Sequence, residues 1–108
     1  MKFLLSLHNK DQFNKLLADA VMESLTQILG ETATNTVLSY LERNNAFQRD
    51  DISENISLFH SCLTDLLGSS SLLLENQIIK VLCHKLNLEY DLHETYEFID
   101  YIKELSRK

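Results

Sequence analysis

The chain has no proline at any of its 108 positions and only two glycines, Gly30 and Gly68. Proline breaks helices and glycine weakens them, whereas β-turn-rich folds draw on both, so this scarcity permits long helices and argues against sheets. Cysteine is equally sparse. Cys62 and Cys83 are too few for a secreted disulfide scaffold and fall in apolar-periodic segments, so both are expected as reduced core thiols. No segment approaches the roughly 18 apolar residues of a membrane span. The opening Met-Lys-Phe-Leu-Leu-Ser-Leu is cut by His8, Asn9, Lys10 and Asp11 well short of a signal-peptide core, and a soluble cytoplasmic protein is expected.

Basic charge is also lacking. Net charge is −6, with five bases against six acids in residues 1–50 and five against ten in residues 51–108. A phosphate-binding surface needs a basic patch, and the acidic C-terminal half opposes nucleic acid and anionic membrane alike.

What remains is an ordinary globular composition, 44% hydrophobic and 24% charged, in a length that suits one domain. Residues 1–108 are expected to form a single helical domain, with residues 1–10 as a loosely ordered extension. Two segments nearly repeat: Leu25-Thr26-Gln27-Ile28-Leu29-Gly30 and Leu63-Thr64-Asp65-Leu66-Leu67-Gly68. Each closes an apolar-periodic helix with a glycine suited to the left-handed C′ conformation, and each precedes a Ser/Thr-bearing start. Apolar spacing then predicts five helices, over residues 11–29, 31–43, 55–67, 69–86 and 92–106. Asp11, the Ser69-Ser70-Ser71 run and an Asp91/Glu94 capping box are their expected N-terminal signals. The fold expected is an all-α compact bundle of two Gly-terminated hairpins and a closing C-terminal helix. The fourth helix carries apolar residues on more than one stripe and reads as its buried spine. Phe47 and Ile52 are expected to tuck under the one long loop.

The runs AVMESLTQILGETATNTVLSYLE (residues 20–42) and FHSCLTDLLGSSSLLLENQIIKVLCHKLNLEY (residues 59–90) resemble a small archaeal family, the Nitrososphaera output domain, fifth type. The most specific pieces are the two Leu-Gly helix ends, Leu74-Glu75, and Leu82-Cys83-His84-Lys85-Leu86 followed by Leu88-Glu89-Tyr90. The resemblance implies a compact α-helical domain, alone or attached to archaeal signalling and regulatory proteins, and brings no catalytic motif.

No residue cluster carries recognisable chemistry. His60, Cys62, Cys83 and His84 have metal-ligand side chains, but residues two apart on a helix diverge by about 200° and neighbours by about 100°, so the set does not converge. Cys83 sits late in an apolar helix, where the dipole disfavours a thiolate. The serines after Gly68 lack the strand, further glycines and Lys-Ser/Thr of a phosphate loop. Neither catalysis, cofactor nor metal is expected. The surplus of apolar residues on the fourth helix and the late cluster of tyrosines point to a protein-interaction or dimerisation module, with Leu72, Leu73, Tyr96 and Tyr101 as its candidate interface. Its partner is a second protein or another copy of the chain, with the acidic outer face of the last helix setting orientation. Two alternatives compete. A transcription-associated regulator would use a hairpin as a helix-turn-helix, for which Asn35, Arg43 and Asn44 offer little. A small-molecule sensor would use a pocket between the hairpins.

Overall fold

Positive φ combined with extended ψ is closed to residues that carry a Cβ, and the chain enters that region at both glycines. Gly30 has φ 83° and ψ 170°, and Gly68 has φ 59° and ψ −136°. The computed structural model describes residues 2–48, 51–90 and 95–107, with residues 2–10 as backbone only. It contains α1 (Lys2–Arg43), kinked at Gly30, then α2 (Ile56–Leu67), α3 (Ser70–Lys85) and α4 (Phe98–Ser106).

The all-α expectation holds, but there are four helices among the described residues and not five. Helical structure resumes at once after Gly30, so that glycine kinks α1 where the sequence pattern suggested a boundary between two elements. The buried Thr34 hydroxyl donates to the Gly30 carbonyl at 2.6 Å, bracing the first turn after the kink. Helix α1 also begins at Lys2, so Asp11 lies inside the helix and not at its start.

The remaining ends differ from expectation for local reasons. The glycines have positive φ, yet their ψ values place them outside the left-handed helical region expected of a C′ residue. The residues that end helices with positive φ and the matching bonds are Asn45 (φ 58°) and Asn87 (φ 62°). Beyond each, the next amide reaches back over a full turn, Ala46 N–H to Leu41 O at 2.8 Å and Leu88 N–H to Cys83 O at 2.9 Å. The expected serine caps are also absent: Ser69 holds the N-cap position of α3 without a side-chain bond. The first amides bond to backbone instead, Ser71 N–H to Gly68 O at 3.1 Å and Leu72 N–H to Ser69 O at 3.3 Å. The α4 start lies at Phe98, later than expected, where the Asp100 carboxylate accepts from the Glu97 amide at 2.8 Å. The expected Asp91/Glu94 capping box lies outside the described residues.

Helix α3 is the spine, packed against α1, α2 and α4. Its Leu74, Ile78, Ile79, Leu82 and Cys83 are buried among Leu17, Val21 and Leu25 of α1, Phe59 and Leu63 of α2, and Phe98 and Ile102 of α4. Phe47 and Ile52 are buried as expected, and the buried Asn14 side chain accepts from Ser53 N–H at 2.9 Å, tying that loop to α1. Gln77 donates to Gln27 at 2.9 Å, and Lys85 pairs with Glu23 at 2.7 Å, so α1 and α3 run antiparallel. None of the described helices is long and apolar enough to cross a membrane.

A Cβ added at Gly30 or Gly68 would meet no atom within 4 Å, so alanine there is penalised through the backbone alone. Gly30→Ala and Gly68→Ala are each expected to lower stability by about 1–3 kcal/mol. Urea unfolding reads this directly, and a midpoint equal to the parent's would contradict the strained corners.

Candidate functional site

Helix α3 carries a carboxylate on its buried side. Glu75 is four residues from Ser71 and from Ile79, on the same stripe as these buried neighbours, and only 3% of it is accessible. An isolated ionised carboxylate would be costly there, and its partner comes from α2: His60 Nδ1 meets Glu75 Oε2. His60 follows the fully buried Phe59, so α2 presents its ring at the edge of the core, stacked on Phe98 with centroids 6.4 Å apart. Burial pushes the Glu75 carboxyl above its ordinary value and the nearby Glu97 adds to the rise, while the hydrogen bond and charge of His60 oppose it.

This pair lines a recess of about 180 Å³ between α2, α3 and the chain entering α4. Leu72 and Ile79 form its apolar side, and Tyr96, Glu97, Phe98 and Tyr101 close it from the α4 side. The rings of Tyr96 and Tyr101 meet edge to face, with centroids 5.2 Å apart. Tyr96 also donates to Glu104 at 3.3 Å, and that carboxylate is the leading cause that holds the phenol above its usual range. The structure thus brings three of the four candidate interface residues, Leu72, Tyr96 and Tyr101, to one recess. Tyr101 is buried, however, and serves as a wall and not as an exposed contact. Its position on the inner face of α4, beside Phe98 and Ile102, is the reason.

Leu73 belongs to a different surface. Leu72 and Leu73 are each 64% exposed, the most exposed large apolar residues described. The antiparallel pairing that joins Gln27 to Gln77 brings the Gly30 kink towards the first turn of α3. Residues 24–30 and 66–74 contain no ionisable carboxylate or base, and the exposed Glu23, Glu31 and Asp65 adjoin them. Ile28 and Leu66 are each 37% exposed within these stretches. The first turn of α3 is thus an uncharged, leucine-rich stretch on a chain of net charge −6.

Elsewhere the chemistry is quiet. Cys62 and Cys83 are both buried, and burial, followed by the charge of Asp65, pushes the Cys62 thiol up and away from a thiolate. Among the described residues no three of His, Cys, Asp and Glu converge on a metal-sized site. The pair that sequence reasoning missed is His60–Glu75, since His60 was weighed only as a metal ligand. The signal was present, because Glu75 is the only charge in residues 66–79 and shares the buried stripe of Ser71 and Ile79.

A carboxyl whose folded-state pKa lies above its unfolded value favours folding in its protonated form. That contribution is full below the ordinary value of 4.5 and is lost as pH rises through the raised value. Glu75→Gln removes the ionisation while keeping a side chain that can bond His60. The variant is expected to be more stable than the parent at mildly alkaline pH, by on the order of 1 kcal/mol. Denaturation across a pH series should show the advantage shrinking towards pH 4.5, and an advantage independent of pH would contradict the buried carboxylate.

Compared with family models, with curated proteins and with solved structures, the chain matches none.

Proposed function

We propose that the chain is a non-enzymatic protein-interaction module that self-associates through the uncharged stretches of residues 24–30 and 66–74. The observation that carries this is the pair Leu72 and Leu73, each 64% exposed on adjacent positions of one helical turn. Side chains of that size left in water in a monomer forgo hydrophobic stabilisation that burial would supply. A second copy is the favoured occupant on electrostatic grounds. Two chains of net charge −6 repel, and a contact centred on the uncharged first turn of α3 opposes fewer like charges than one on the acidic face of α4. An isologous contact would set Leu72 and Leu73 of one protomer against the same end of its partner, with Ile28 and Leu66 extending the apolar centre.

Under the resemblance to the Nitrososphaera output domain family, such a module would serve as an output domain in archaeal signalling, joining protomers when its attached regulator permits. The helix-turn-helix alternative rests on Asn35, Arg43 and Asn44, which include one base, and Arg43 and Asn44 donate to the backbone carbonyls of Ser39 and Tyr40.

Size-exclusion chromatography with light scattering, over a hundredfold concentration range and at low and high salt, tests the proposal. The expected result is a particle of twice the 12.5 kDa chain mass that persists at high salt. Leu72→Lys with Leu73→Lys should return it to a monomer with an unchanged helical spectrum, since both side chains are exposed. A parent that is monomeric at every concentration would overturn the proposal.

A further inference from the structure

The recess between α2, α3 and α4 combines features that a hydrophobic interface does not require. It has a carboxylate at its base, Glu75, and a second at its rim, Glu97. Its walls include the rings of Tyr96, Phe98 and Tyr101. The buried Glu75 carboxyl lies among apolar surroundings that screen charge weakly, with His60 Nδ1 against its Oε2. Aromatic faces carry negative potential and attract cations within about 6 Å of the ring centroid. The same aromatic group already holds one: Lys80 Nζ lies 5.9 Å from the Tyr90 centroid, and Tyr90 packs on Tyr101 with centroids 6.1 Å apart.

The size fixes the ligand class further. An apolar cavity of about 150 Å³ accommodates benzene. A recess of about 180 Å³ therefore accommodates one cationic head and a short aliphatic stem. Anions are repelled by both glutamates. A small neutral molecule gains nothing from the buried charge. We infer that this recess binds an organic cation, an alkylguanidinium or alkylammonium group, whose head pairs with Glu75 and whose stem lies against Leu72, Ile79 and the Tyr96 ring. The site shares Leu72 with the proposed self-association surface but takes its carboxylates and aromatic walls from elsewhere, and Leu73 does not line it. A planar guanidinium suits it best, because it can stack on an aromatic wall while donating to a carboxylate.

The test uses the full chain and three probes: n-butylguanidine, its neutral isostere n-butylurea, and the capped peptide acetyl-Ala-Arg-Leu-amide. Binding is followed by amide chemical-shift perturbation. Butylguanidine is expected to bind in the millimolar range, with shifts centred on Ile79, Phe98 and Tyr101, and butylurea at least tenfold more weakly. Glu75→Gln, which retains the fold, should weaken butylguanidine at least tenfold, and Tyr96→Leu severalfold. Leu73→Lys, on the other surface, should leave the affinity unchanged even where it abolishes dimers. A peptide that binds as well as butylguanidine identifies a partner's arginine as the source of the cation, and a peptide that is excluded identifies a free small molecule. Equal binding of butylurea, shifts centred elsewhere, or full affinity in Glu75→Gln would overturn the inference.

Discussion

The antiparallel packing of α3 against α1 is the contact on which the rest of the structure depends. The two helices share the largest part of the core, with Leu17, Val21 and Leu25 facing Leu74, Ile78 and Leu82. Polar links at Gln27–Gln77 and Glu23–Lys85 hold the register along the solvent edge. Those exposed links contribute little free energy by themselves, and burial of the leucine and isoleucine faces supplies the stabilisation. Their value is geometric. By fixing which part of α1 lies beside which part of α3, they bring the Gly30 kink and the first turn of α3 together.

The same spine sets the chemistry of the other surface. A helix buried on three sides has little room for a charge, and Glu75 is tolerated because α2 brings His60 to it. Replacing that pair with apolar residues would be expected to preserve or raise stability, so stability alone does not account for it. A carboxylate retained at the base of an aromatic-walled recess is better explained by what it can bind. The molecule thus separates two properties by position: an apolar stretch without charge, and a recess in which charge is concentrated.

Much of this was legible in the sequence. The absence of proline and the period of Leu74, Ile78, Ile79 and Leu82 specify a buried helix, and the two glycines mark where the backbone must turn. The kind of turn was not legible. Positive φ at Gly30 suits either a helix end or a kink within a helix, and local sequence does not distinguish them. The asparagine ends were hidden because Asn45 and Asn87 resemble ordinary loop residues until the reaching-back bonds of Ala46 and Leu88 are seen. Leu72 and Leu73 could be picked out because two adjacent leucines cannot both face inward at the start of a helix that already buries Leu74 and Ile78. Tyr101 lies three residues from Phe98 and four from Leu105 on one helical stripe, so its burial was legible in the periodicity, and only its amphipathic ring argued for an interface. His60 and Glu75 are fifteen residues apart on different helices, and only tertiary packing reveals them as a pair.

The most direct test of the central claim is an isotope-filtered nuclear Overhauser experiment on a mixture of labelled and unlabelled chains, which registers only contacts between protomers. The account requires cross-peaks linking the Leu72 and Leu73 methyls of one protomer to Leu66, Leu72, Leu73 or Ile28 of its partner. Contacts between protomers confined to α2 and α4, with Leu72 and Leu73 silent, would contradict it.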